Sequence, residues 1–125
     1  MILKEEVLRL HELSIQKYGG AQGIRDEGLM ESAIARPYQT FDGEDLYKTP
    51  LEKAAAIAES LIINHPFIDG NKRTGFLGMF ALLRKENIAL NADEESAYNF
   101  TIDISTGKIN FDDIVIWLKN NTQSI

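Results

Sequence analysis

The chain has 125 residues, the size of one domain, and its 44% apolar and 26% charged content is ordinary globular usage. Nineteen acidic against thirteen basic side chains leave a formal charge of −6, which repels the phosphate backbone that dominates nucleic-acid affinity and argues against nucleic acid as a direct partner. Cysteine is absent, excluding disulfides and thiolate metal sites, and the longest apolar run, residues 76–83, falls short of the ~20 residues that span a bilayer.

One domain over residues 1–125, with no membrane segment, is expected. The opening MILKEEVLRL mixes charge with apolar residues and lacks the uninterrupted core of a signal peptide, so a cytoplasmic location is the expectation. Ile2, Leu3, Val7, Leu8, Leu10, Leu13 and Ile15 approximate the spacing of an amphipathic helix over residues 2–18, which Gly19-Gly20 ends. Asp26 is placed to cap a second helix reaching Ala35, closed by Arg36-Pro37. PYQTFDGEDLYKTP follows, rich in turn formers, and reads as a loop or short hairpin of the kind that carries function. Residues 51–64 form an alanine-rich helix that Pro66 terminates. The next helix begins near Gly70 or Asn71 and runs to about Glu86; its GFLGMFALL is apolar on every side and predicts a buried helix. Residues 92–104 and 110–120 read as two further helices separated by Thr106-Gly107. Six helices with little strand make the fold all-α.

Between the third and fourth helices lies HPFIDGNKRTG, residues 65–75. The first N–H groups of a helix lack intrahelical partners and, with the helix dipole, receive anions such as phosphate. Gly70 lets backbone approach such a ligand, Asn71 offers an amide donor, Arg73 a bidentate fork and Lys72 a point charge. Asp69 beside an anion site makes sense with a bridging cation, and Mg2+ takes one or two carboxylates plus substrate phosphates. His65 is the group suited to removing a proton from an attacking hydroxyl near neutral pH. A base, a metal-binding acid and a phosphate cradle together describe a phosphoryl- or nucleotidyl-transfer site.

Taken singly, each residue has an ordinary reading: histidine before proline ends a helix, Asp-Gly turns, and Lys-Arg is solvated. Cations in a first helical turn oppose the dipole, however, and such a local conflict marks a functional site. His11 stands alone on the first helix and reads as a packing or surface residue. Trp117 shares an apolar face with Phe111, Ile114 and Leu118, a core signature. There is no second histidine at zinc-ligand spacing and no GxxxxGK[ST] loop.

At these residues the sequence resembles a known family. HPFIDGNKR resembles the Fic motif HPFx[DE]GNxR, and the lysine before the arginine, with TG following, is similar to the death-on-curing (Doc) branch rather than the main Fic branch, which has glycine there. YGGAQGIRDEGLMESAIARP, TFDGEDLYKTPLEKAAAIAESLI and GKINFDDIVIWLK are also similar to Doc-type proteins. The resemblance implies a Fic-type helical fold with His65 as base, Asp69 as Mg2+ ligand, Phe67, Gly70, Asn71 and Lys72 around the nucleotide and its anion hole, and Arg73 on phosphate. Fic enzymes transfer a nucleoside monophosphate from ATP to a target hydroxyl, whereas Doc toxins act as kinases, with a threonine of elongation factor Tu as the implied target and arrest of translation as the outcome. Residues 37–50 correspond to the flap that holds the target segment. The inhibitory pattern [ST]xxxE[GN] is absent: the only serine or threonine with glutamate four residues on is Thr40 with Glu44, followed by Asp45. An antitoxin whose disordered segment folds on binding is therefore the implied partner. AMP transfer of the main Fic type and a non-enzymatic helical module are the alternatives.

Overall fold

The computed structural model describes residues 1–125. Six α-helices, α1 Lys4–Tyr18, α2 Glu27–Ala35, α3 Pro50–Asn64, α4 Asn71–Lys85, α5 Glu94–Ser105 and α6 Phe111–Asn120, dominate it. Two antiparallel ribbons complete the chain, β1 Thr40–Phe41 with β2 Glu44–Asp45 and β3 Ile88–Leu90 with β4 Thr122–Ser124. The all-α architecture and the hairpin ahead of the motif agree with the sequence pattern.

Side chains that satisfy otherwise orphaned N–H groups set where helices begin. Asp26 accepts from the Leu29 N–H, Thr49 from Glu52, Asp93 from Ser96 and Asn110 from Asp113. Glu6 reaches back to the Leu3 N–H at 2.9 Å, and its other oxygen meets Lys85 of α4 at 2.9 Å. The bond from Lys85 holds the Glu6 carboxyl below the usual carboxylate range.

The core is a close pair of antiparallel helices. On α3, Ala54 to Ala58, Leu61 and Ile62 are wholly buried. α4 lies against this face through Gly75 and Gly78: a Cβ on Gly75 would stand 2.6 Å from Ile62 Cγ1, so only glycine permits the approach. The other helices wrap this pair, and one cluster of 19 buried side chains draws on all six.

Three expectations need correction. α4 is not buried all round, since Phe80 is 39% exposed and Phe76 and Leu77 are half-buried. α3, α1, α5 and β3 pack against its other sides, and this stripe is left partly open to solvent. Trp117 sits half-buried at the margin of the core, stacked on Phe100 with centroids 3.8 Å apart. Finally, α1 and α5 start at Lys4 and Glu94, two residues later than the apolar pattern predicts. Ile2 is buried as extended chain, its N–H donating to the Tyr38 hydroxyl at 2.7 Å.

Candidate active site

The motif loop joins the two central helices, and its shape follows from how α3 ends. His65 takes the left-handed conformation at φ 49° and ψ 57°, and Arg25 holds this reversal by donating to the His65 carbonyl at 2.6 Å and the Asn64 carbonyl at 2.8 Å. The segment before α2 then runs beside the loop: the Arg25 and Asp26 N–H groups donate to the Pro66 carbonyl, and the Ile68 N–H to the Gly23 carbonyl. His65 and Asp69 are left exposed while Phe67 turns inward.

Phe67 and Asn71 require corrections. Phe67, expected beside the nucleotide, is 1% exposed and stacks on the buried His11 at 3.9 Å, so its ring belongs to the core. Asn71, expected to offer its amide to an anion, spends that amide inside the protein. Its Oδ1 accepts from the Phe67 N–H at 2.9 Å and its Nδ2 donates to the Phe67 carbonyl at 3.0 Å. Together these bonds clamp the loop like one rung of a β-ladder.

Gly70 has φ +79°, and a Cβ there would lie 3.0 Å from Ile15 Cδ1, so the turn into α4 needs glycine. No side chain caps α4, and its first turn carries no acid. The N–H groups ahead of Thr74, whose own N–H bonds the Gly70 carbonyl, form the open mouth of the helix. Lys72 and Arg73 are exposed at this mouth, and neither takes part in any of the seven ion pairs of the molecule. The Arg73 guanidinium lies over the Tyr18 ring, 4.1 Å from its centroid. Asp69 accepts the Ala21 N–H on Oδ2 at 2.7 Å, leaving Oδ1 without a protein partner.

A cleft of about 360 Å³ continues from the mouth, lined by the N-cap Gly70, by Asn71, Lys72, Arg73 and Phe76 on α4 and by Ala97, Tyr98 and Thr101 on α5. The α5 residues carry no local chemical signature in the sequence, and only Tyr98, an aromatic left 66% exposed, hints at a surface in use. No group of three potential metal ligands exists, so a divalent cation here would rest on Asp69 and on ligand oxygens, which suits Mg2+.

The hairpin stands on a rigid base. Asp42 and Gly43 both have positive φ, forming a two-residue turn that leaves Phe41 at its tip 72% exposed. Arg36 ties the hairpin's far end to α3, donating to Tyr47 Oη, Glu59 and Ser60 within 2.9 Å. Burial pulls the Arg36 pKa down, but the bonds to Tyr47 and Glu59 outweigh it and the net shift is upward. Lys53 holds Asp45 and the Tyr47 carbonyl. Glu44 lies on the hairpin facing Lys48 at 3.6 Å, and no acid of the chain engages Arg73.

Fold and site thus define a class: an all-α domain whose central helix opens an uncapped, cationic mouth beside an acid and a histidine. The chain belongs to the Fic/DOC family, whose model matches residues 2–83. It is similar to Toxin Doc of Mycolicibacterium smegmatis, 39% identical over 90 residues that cover 72% of this chain and 67% of that protein. It is also similar to Protein kinase doc of Escherichia phage P1, 29% identical over 118 residues that cover 94% and 92% of the two chains.

Proposed function

We propose that the chain is a Doc-type toxin that transfers the γ-phosphate of ATP to a serine or threonine hydroxyl of a target protein, elongation factor Tu, and so stops translation in the cytoplasm. The observation that carries the reading is the mouth of α4, where Lys72 and Arg73 sit unpaired at a helix N-terminus next to an exposed histidine. The names of the two relatives, a toxin and a protein kinase, support it.

His65, held outward by the Arg25 clamp, takes the hydroxyl proton; the target oxygen bonds the γ-phosphorus as the bridging β–γ bond breaks, and ADP leaves. The N–H groups of the α4 mouth and the Arg73 fork face the phosphate oxygens where charge is shared in the transition state. Asp69 is the residue that would hold Mg2+ together with the nucleotide phosphates, and the ion would neutralise phosphate charge. Lys72 occupies space that glycine would leave for the inner phosphates of a nucleotide lying in the AMP-transfer direction, and so favours presentation of the γ-phosphate. The exposed hairpin pairs with an extended target segment. With no acid of its own on Arg73, the chain is restrained in trans by an antitoxin whose disordered segment folds as a helix into the groove near the hairpin and Arg73.

Incubation of target protein with this protein, Mg2+ and ATP labelled at either the γ- or the α-phosphate tests the reading. Label from the γ-position, with an intact mass increased by one phosphate, is expected. Transfer of α-label overturns the kinase assignment in favour of AMP transfer, and transfer of neither removes the enzymatic reading.

A further inference from the structure

His11 is the one titratable side chain buried beneath the motif loop. It is 4% exposed, its Nε2 lies 2.8 Å from the Asp69 carbonyl oxygen, and its ring stacks on Phe67 at 3.9 Å with an interplanar angle of 10°. Nε2 and Cδ2 also lie 3.7 Å from where a Gly70 Cβ would be, so the imidazole fills the space under the turn into α4. A carbonyl oxygen only accepts, so Nε2 carries the proton and donates. The bond therefore fixes the plane of the peptide between Asp69 and Gly70. That peptide carries the Asp69 carboxylate on one side and opens the α4 mouth on the other.

From this geometry we infer that His11 is a positioning residue for the reaction: through the Asp69 carbonyl it sets where the Asp69 carboxylate and the first N–H groups of α4 point. The sequence pattern predicts only a packing or surface role, because the separation of 58 positions between the partners hides the contact. Ring stacking alone accounts for the burial of His11, and any aromatic side chain would supply it. What a phenylalanine ring cannot supply is the donor 2.8 Å from a carbonyl that has no other hydrogen-bond partner. The bond acts on the stretch that the Asn71 clamp closes, between Phe67 and Asn71, and the Ala21 N–H restrains the same aspartate through its side chain. Asp69 is thus fixed at both backbone and carboxylate, and the two restraints come from α1 and from the segment that leaves it.

The inference rests on the kinase reading, and two variants separate its failure from failure of that reading. His11→Phe keeps a ring over Phe67 and removes the donor. His11→Gln removes the ring and keeps an amide N–H able to reach the carbonyl. In the Phe variant kcat for phosphate transfer is expected to fall about 10- to 100-fold, as for a small misplacement of reacting groups, with KM for the target protein within about twofold. Amide hydrogen exchange at residues 21, 67 and 68, whose N–H groups are hydrogen-bonded in and around the loop, is expected to speed about tenfold, while the amides of α3 and α6 keep their protection. The Gln variant is expected to recover most of both. If His11→Phe keeps kcat and local protection, or loses protection equally throughout α3 and α6, or if His11→Gln fares no better than His11→Phe, the positioning role is overturned. Should His11→Phe fail to fold, His11→Gln decides alone: retained kcat supports the role, and lost kcat with an unchanged melting temperature removes it. Should the unaltered protein transfer no phosphate, the kinase reading falls, and hydrogen exchange then decides the positioning role.

Discussion

At the scale of single residues, the loop shows how one backbone reversal sorts chemistry from structure. The left-handed His65 turns residues 65–71 so that His65 and Asp69 face solvent while Phe67 and Asn71 face the core. Substitutions on the two sides should therefore separate activity from stability. His65→Asn, whose new side chain tolerates the left-handed conformation but is a poor base, is expected to lower kcat by roughly 10²- to 10⁴-fold with little change in melting temperature. Asn71→Ala strips partners from the Phe67 N–H and carbonyl, both buried, and is expected to cost about 1–3 kcal/mol per orphaned group. A melting temperature lowered by several degrees or more would be the sign, at about 4 °C per kcal/mol for a chain this long. An Asn71→Ala protein that melts normally would show that its amide was free after all. This division was only half legible in the sequence. His65, Asp69, Lys72 and Arg73 stand out because they are contiguous and chemically discordant with a helix start. The inward turn of Phe67 and Asn71 depends on a φ value that no side-chain pattern encodes, and Arg25 and His11 reach the loop from 40 and 58 residues away.

At the scale of elements, the site depends on how closely α3 and α4 approach, and the two glycines on their contact face make opposite predictions. Gly75→Ala places a Cβ 2.6 Å from Ile62 Cγ1 and 3.3 Å from the Ala58 carbonyl oxygen, in a wholly buried seam. The helix must shift, at a cost of about 1–3 kcal/mol that exceeds the ~1 kcal/mol of helix propensity alanine brings. Gly78→Ala meets Leu61 Cδ1 at 3.5 Å, an ordinary contact, so the propensity gain stands and stability should rise by about 0.5–1 kcal/mol. Thermal melts of the two variants check the pair, and equal shifts of one sign would contradict the close packing. The helices themselves were readable because their apolar period is local and Asp26 announces one start, while the caps Thr49 and Asn110 emerge only in the structure. The ribbon of β3 with β4 was not. Its strands are three residues each and lie more than thirty residues apart, and the polar Thr122–Ser124 carries no alternation to signal a partner. The Asp42-Gly43 turn, by contrast, is compatible with positive φ at both positions, and the turn formers around it leave the sequence open to a loop or a short hairpin, of which the structure takes the hairpin.

At the scale of the whole molecule, the question is whether α5 and α6, which lie beyond the family-matched residues 2–83, are part of the same folding unit. We propose that residues 1–125 unfold as one domain. Ile114 and Leu118 of α6 and Ile104 of α5 are at most 1% exposed within the single buried cluster, so removing them would uncover the alanine-rich face of α3. The chain's end is also tied back to α4's exit, where the Ile125 N–H donates to the Asn87 carbonyl and the Asn91 N–H to the Asn121 carbonyl. Trp117, the only tryptophan, stacks on Phe100 across the α5–α6 interface and reports on this region alone, whereas far-UV circular dichroism reports on all six helices. A shared core predicts that denaturant unfolding followed by both signals gives coincident single transitions, the signature of a two-state domain. It also predicts that a chain ending at residue 90 fails to fold, because α3 then has no cover on that side. Tryptophan fluorescence that changes at lower denaturant than the helical signal, or a stable folded 1–90 fragment, would show that α5 and α6 dock on a finished unit. The cleft wall built by Ala97, Tyr98 and Thr101 would then be able to leave the α4 mouth without the rest of the fold coming apart.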